Sequence, residues 1–309
     1  MNFAFKEKIY KALHEKNSIQ RYVARRFLFG LFEKLGFHII GDHFYEIIPN
    51  TRFVRKHYTD APRPIAGLSW NLPAYEAKAL ELLRKYGGEF RATVSKFGYV
   101  ENNAYFCGFD ALMLYTMVRD EKPRRVVEIG QGVSTRILLA ALDKNHGETG
   151  VKSTLVTVDP YVRLSDEAHL VGVHMECVRK EIQQLDPVQL LDGCDFLLVD
   201  SSHVYKFGSD VEFEFCQLYG NIGKGALIHI HDIFSPYAYP LWHFTRRRQF
   251  WNEQYILENF LSYNAEFEVA LPLHLLFRQS SAFLEAAGKL DRAPDFKSHA
   301  MSFYIRRKP

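Results

Sequence analysis

Val126-Val127-Glu128-Ile129-Gly130-Gln131-Gly132-Val133-Ser134-Thr135 is the stretch whose reading decides the fold. An apolar, β-branched run breaks into a Gly-x-Gly turn, and a helix-forming segment follows from Thr135 to Leu142. Glycines at the carboxyl end of a buried strand let the backbone approach a ligand, and the helix behind them offers unpaired N–H groups. Thr135 stands where the third glycine of a dinucleotide fingerprint would be. Glu128 would repel a pyrophosphate and suits a cationic ligand instead. A Gly-x-Gly turn alone is equally an ordinary tight turn, so the reading needs support elsewhere.

Three more apolar runs supply it. Leu155-Val156-Thr157-Val158 ends in Asp159, where a doubly wound fold places an acid for vicinal ribose hydroxyls. Phe196-Leu197-Leu198-Val199 runs into Asp200-Ser201-Ser202-His203, and Ala226-Leu227-Ile228-His229-Ile230 runs into His231-Asp232. Parallel strands gather functional groups at their carboxyl ends, so Glu128, Asp159, Asp200, His203, His231 and Asp232 are expected on one rim. Each residue has a plainer reading. Asp159 could cap a turn, His203 could cap the next helix, and Asp210 could be a helix-surface residue or support the site from behind. His229 is expected as a satisfied core histidine on the opposite face from His231.

The order Glu-x-Gly-x-Gly, second-strand acid, Asp-x-x-His-x-Tyr, then Gly-x-hydrophobic-His-Asp resembles the class I S-adenosylmethionine-dependent methyltransferases. Asp200 to Val211 and His229 to Phe234 resemble the small-molecule and sugar O-methyltransferases of that family most closely. Tyr239-Pro240, Trp251-Asn252-Glu253-Gln254-Tyr255 and Ser302 to Arg307 follow the same resemblance, which covers roughly residues 100 to 309. It implies a seven-stranded, mostly parallel α/β sheet of order 3-2-1-4-5-7-6. It implies a cofactor cradle of Glu128, Gly130, Gln131, Gly132, Ser134, Thr135, Asp159 and Asp200, with Glu128 facing the amino-acid end of the cofactor. The methyl acceptor is then a hydroxyl of a small molecule or sugar, with His203 as general base beside Asp200. Asp200, His231 and Asp232 become ligands of Mg²⁺ or another divalent metal. The chain departs from the metal-binding members at His231, where an acid is usual, and imidazole suits Zn²⁺, Fe²⁺ or Mn²⁺ better than Mg²⁺. Tyr45, Tyr205, Arg247, Trp251 and Tyr255 are candidate acceptor contacts, with Trp242 as a further member of an aromatic wall. Arg246-Arg247-Arg248 reads as a solvated run or as a clamp on an acidic acceptor. A metal-dependent hydroxylase on this fold and a non-catalytic cofactor-binding module stay open beside the methyltransferase.

The rest of the chain frames this site. Its 309 residues, 47% hydrophobic and 15% aromatic, suffice for a sizeable core, and a formal charge of +3 argues against broad nucleic-acid binding. Cys107, Cys177, Cys194 and Cys216 lack metal or redox spacing and read as reduced, buried thiols of a cytoplasmic protein. No apolar stretch reaches transmembrane length, and the first residues do not form a signal sequence. Residues 1–100 are expected as a helical N-terminal extension or lid and 101–309 as the methyltransferase domain. Phe5, Ile9, Leu13, Phe27, Leu31 and Leu35 are spaced for amphipathic helices. These could pack on the domain, form a dimer arm, or rest on an anionic membrane. Pro49 to Pro73 reads as a connecting loop, with helices near 73–86 and 104–119 after it. Lys206 to Tyr219 is expected to be helical, as is a segment beginning near Asn252. Phe267 to Phe277 and Met301 to Arg306 are expected as the closing antiparallel strands.

Overall fold

The computed structural model describes residues 28–38, 40, 46–161, 172–290 and 300–309. Most of the amphipathic N-terminal segment, and Tyr45 with it, lie outside the described residues. The described residues up to Thr59, together with Pro240–Phe250, make one compact unit, and Asp60–Tyr239 with Trp251–Pro309 make a second.

In the first unit the stretch read as a loop contains a helix, Thr51–His57. Asn50 starts it, its side-chain oxygen accepting from Arg52 N at 2.9 Å and Phe53 N at 3.2 Å. That Asn followed by a run without glycine or proline was the signal overlooked. A π-helical turn, His243–Arg247, packs against this helix.

The second unit is built on a sheet of seven strands: β1 Arg125–Ile129, β2 Ser153–Val158, β3 Val173–Val178, β4 Phe196–Val199, β5 Leu227–Ile230, β6 Phe267–Pro272 and β7 Phe303–Arg307. Their order is β3-β2-β1-β4-β5-β7-β6, as expected for the class I methyltransferase fold. Strands β1 to β5 pair in parallel, and β7 runs antiparallel to both β5 and β6. Parallel strands need long crossovers, and helices Gly108–Glu121 and Val133–Thr149 flank β1 on one face. There Leu112, Leu138 and Leu142 join Val126, Leu155, Phe196 and Leu198 in one buried cluster. Alternate residues, Val127, Val156, Leu197 and Ile228, point to the other face, against Leu218, Tyr219, Ile222 and Leu257.

Several boundaries differ from expectation, each for a local reason. The helix after the glycine turn runs on to Thr149, where Gly150 ends it with φ +72°. The expected helix 206–219 begins only at Asp210, because the Ser209 hydroxyl caps it by accepting from Glu212 N at 3.1 Å. It continues as a π turn, Glu214–Leu218. The run from Phe267 is a strand only to Pro272, after which Leu273–Gln279 is helical. Strand β3 was not located from sequence, its alternation of exposed His174 and Glu176 with buried Val173 and Met175 marking a sheet edge. Cys107 and Cys194 are buried free thiols as expected, but Cys216 is exposed. No described helix is long and apolar enough to cross a membrane.

Candidate active site

Register alone assembles the rim. Ile129 pairs with Val158 and Val199, and Val199 pairs with Ile230. The residues that follow, Gly130, Asp159, Asp200 and His231, therefore emerge side by side from four adjacent strands. Backbone bonds carry the alignment past the strands: Gly130 N donates to Val158 O (2.9 Å), Asp200 N to Ile129 O (3.0 Å) and His231 N to Val199 O (3.0 Å).

The glycine turn is a tight weave. Gly130 has φ +88°, and a Cβ there would lie 2.1 Å from the Asp200 carbonyl oxygen, so only glycine fits. Gln131 N donates to Asp159 Oδ2 at 3.0 Å, and Tyr161 N donates to Asp159 Oδ1 at 2.6 Å. The Gln131 side chain turns inward, donating from Nε2 to Thr157 Oγ1 at 3.1 Å. Glu128 is fully buried behind the turn, where Ser134 Oγ and Thr135 Oγ1 donate to its two carboxylate oxygens at 2.6 and 2.7 Å. Thr135 Oγ1 also accepts from Gly132 N at 3.1 Å, which ties the turn to the first turn of the helix. Burial pushes the Glu128 carboxyl up to about 8 despite these two hydroxyls. Glu128, Ser134 and Thr135 thus form an internal brace. Beside this turn lies a cleft of about 510 Å³, lined by Gly130, Asp159, Lys180, Asp200, Ser202 and Lys206 among others.

At the β4 and β5 ends the charge pattern reverses. His231 Nδ1 lies 3.5 Å from Asp200 Oδ1 and 3.9 Å from Asp232 Oδ2, and the three side chains offer ligand atoms within 4.8 Å of one another. His203 brings its Nε2 to 3.5 Å from Asp200 Oδ1 and 3.4 Å from Asp232 Oδ2. Both His203 (φ +61°) and Asp232 (φ +58°) occupy the left-handed region, an uncommon conformation for such residues that recurs where side chains are aimed at a site. Asp200, which burial alone would raise, is held at about 2 by the charges of His231, His203 and His229. Burial would lower His203, yet Glu253, Asp232 and Asp200 raise it to about 9. Burial opposes the His231 cation as well, and Asp200, Asp232 and Asp110 still hold it well above its ordinary value.

Two acids that carry this arrangement were not assigned from sequence. Glu253, buried at the start of helix Glu253–Leu261, lies with Oε2 2.8 Å from His203 Nδ1. It belongs to the quoted Trp251–Tyr255 motif, in which only the aromatic residues were given roles. Asp110 is fully buried on helix Gly108–Glu121, with Oδ2 3.6 Å from His231 Nε2. Its Oδ1 accepts from Met301 N and Ser302 N, both at 2.7 Å. A single acid inside the apolar run Gly108–Val118 was the available signal. His229 corrects the reading of β5: it lies on the same face as His231, ring centroids 6.1 Å apart, because residues two apart on a strand share a face. Nor is it satisfied, since neither ring nitrogen has a hydrogen-bond partner. Burial, with the charge of His231, drives it down to about 3.

The acceptor candidates divide. The Trp251 ring packs 4.5 Å from that of His203. Tyr239 bridges Trp251 and Tyr255, at 6.0 and 5.7 Å. Tyr205 is clipped through its backbone to the Asn252 side chain, and its hydroxyl meets Cys216 Sγ at 3.5 Å. Asp210 supports the site loop by accepting from Ser202 N at 2.9 Å. Arg247 and Trp242 belong to the first unit, where the guanidinium lies 4.6 Å from the indole centroid.

Part of the chain also matches known proteins. Residues 127–233 match a family model described as a methyltransferase domain. An uncharacterized protein of Archaeoglobus fulgidus is 30% identical over 129 residues, which are 38% of this chain and 57% of that protein. The chain therefore spans little more than half the length of that relative. Among solved structures, a methyltransferase of Podospora anserina with bound SAH is similar at 14% identity and a TM-score of 0.39, over 84% of this chain and 94% of that one. The MycE methyltransferase of the mycinamycin biosynthetic pathway, in complex with Mg and SAH, is similar at 16% identity and a TM-score of 0.38, over 71% of this chain and 55% of that one. The resemblance to the class I methyltransferases thus holds for the order of the whole sheet and, in the family match, for residues 127–233, which carry the glycine turn and all three candidate metal ligands.

Proposed function

We propose that the protein transfers a methyl group from S-adenosylmethionine to a hydroxyl of a small molecule or sugar, with a divalent cation held by Asp200, His231 and Asp232. The observation that carries this reading is the junction of two half-sites on one rim: the glycine turn with Asp159, and the three ligand atoms with His203 beside them. Residues present on both sides fit the absent groups. Each Asp159 oxygen accepts one backbone bond and keeps a lone pair for a vicinal diol, and Gly130 leaves the backbone open to close approach. Neither ring nitrogen of His231 has a hydrogen-bond partner among the described residues; Nδ1 faces Asp200 at 3.5 Å and Nε2 faces Asp110 at 3.6 Å, and a cation bound at Nδ1 would displace the proton those carboxylates favour.

When bound, the methyl donor would supply an already activated carbon, and a cation held by Asp200, His231 and Asp232 would lower the pKa of the acceptor hydroxyl. Catalysis by this chain is then mostly positioning of the acceptor oxygen in line with the methyl group. Against burial, Glu253, Asp232 and Asp200 raise His203 to about 9, and a cation drawing on the two aspartates would free Nε2 of its proton. Glu253 engages Nδ1, so Nε2 is then the nitrogen left to take the acceptor's proton. Trp251 packs on that imidazole and limits water around it. The mixed ligand set of two carboxylates and one imidazole favours Mn²⁺, Fe²⁺ or Zn²⁺ over Mg²⁺.

Calorimetry of S-adenosylmethionine and S-adenosylhomocysteine on wild type and Asp159→Ala, with and without Mn²⁺ or Mg²⁺, tests the reading. Micromolar binding weakened more than about tenfold by the substitution is expected, from loss of a charge-assisted pair of hydrogen bonds. Absence of binding under every metal condition would remove the methyltransferase reading.

A further inference from the structure

The first unit has a surface that the methyltransferase chemistry does not use. Residues 47–59 and 240–250 contain Arg52, Arg55, Lys56, Arg246, Arg247 and Arg248 and no Asp or Glu. All six are exposed, and none has a carboxylate partner among the described residues. Helix Thr51–His57 and the turn His243–Arg247 pack together, so the two basic triplets belong to one structure. On the helix, Arg52, Arg55 and Lys56 recur at the spacing of a single face.

Large apolar side chains are exposed among these cations. Phe53 is 61% exposed and Trp242 41%, with Ile47 at 87% just before the helix. Four of the fifteen exposed large hydrophobic residues among the described residues, Ile47, Ile48, Phe53 and Trp242, fall in these two short segments, a density that a merely solvated charged face does not require. Arg247 covers the Trp242 ring, leaving an indole edge beside a guanidinium. Cations interspersed with exposed Phe, Trp and Ile match the headgroup layer of an anionic bilayer, where charge and apolar depth are met together. A nucleic-acid duplex would satisfy the cations but keeps its base faces stacked away from Phe53 and Trp242, and no base stacks on Ile47.

We propose that the face built by Thr51–His57 and His243–Arg247 docks the protein on anionic lipid bilayers. The inference stands independently of the methyltransferase reading, because it uses no residue of the β1–β5 rim. It gives Arg247 and Trp242 a lipid-facing role in place of an acceptor contact.

Flotation of the full chain with phosphatidylcholine vesicles, with and without phosphatidylglycerol, tests it. Binding to the anionic vesicles alone, released by raised salt, is expected. The triple variant Arg52→Glu, Arg55→Glu, Lys56→Glu should partition more than about a hundredfold more weakly, at about fivefold per cation lost. Phe53→Ser with Trp242→Ser keeps every charge and should make the remaining binding more salt-sensitive. Should the charge variant fail to fold, the lipid and salt series on wild type decides alone. Equal partitioning onto neutral vesicles, no partitioning, or displacement from anionic vesicles by duplex DNA at equal phosphate would each overturn the proposal.

Discussion

Glu128 and Asp200 sit at the carboxyl ends of adjacent parallel strands, yet the protein shifts their carboxyl groups in opposite directions. Around Glu128 the neighbours are two neutral hydroxyls and a low-dielectric core, so burial raises its carboxyl to about 8. Around Asp200, whose side chain is 32% exposed, they are imidazoles, and their charges outweigh burial to hold it at about 2. Position on the rim is shared; the partners decide the chemistry. A neutral Glu128 braces the turn, whereas an ionised Asp200 is available to a cation.

The contrast can be broken from either side. Asp200→Asn removes a proposed cation ligand and the main counter-charge of His231. Divalent-cation affinity and methyl transfer should fall by more than about a hundredfold, beyond what loss of an outer-shell partner costs. Metal titration followed by initial rates checks this, and a variant within tenfold of wild type would detach Asp200 from the reaction. Glu253→Gln keeps the shape around His203 but removes the carboxylate that engages Nδ1. About a 10- to 100-fold loss in kcat is expected with little change in KM, together with a shifted pH profile, and Glu253→Asp should recover part of it. An unchanged profile would reduce Glu253 to packing.

The smallest effect on ligand binding belongs to Glu128. Because its folded carboxyl is raised from an ordinary value of 4.5 to about 8, the folded state keeps a proton that the unfolded state releases between those values. Its contribution to stability is complete below pH 4.5 and declines as pH rises towards 8, by roughly 1.4 kcal/mol per pH unit across that window. Glu128→Gln should lose this slope in urea unfolding measured across the window. It should also alter S-adenosylmethionine affinity by less than about tenfold. A larger loss would mean that Glu128 meets the cofactor's ammonium directly, and the comparison with Asp200 would fail.

Much of the rim was legible because strand ends announce themselves locally. Apolar, β-branched runs that stop at Gly130, Asp159, Asp200 and His231 need no tertiary knowledge to be read as parallel strands, and the register confirms their alignment. The partners of those residues were not legible. Glu253 lies 50 residues beyond His203, and Asp110 lies 121 residues before His231, so only the packing of two helices against the sheet brings either acid into place. Helix Thr51–His57 was missed for a different reason: at seven residues it is too short for periodicity to register, and its cap Asn50 follows a proline that suggested a loop.

What the sequence by itself determined is the alternation of strands and helices, the place of the glycine turn, and the identity of the groups delivered to one edge; that Gly130 tolerates no Cβ follows from the Asp200 carbonyl that the fold sets against it. The tertiary structure alone decided which of those groups face one another, and therefore which carry charge. A carboxyl group's chemistry depends on the field and solvent within a few ångströms of it, and those neighbours come from segments that the chain order keeps far apart.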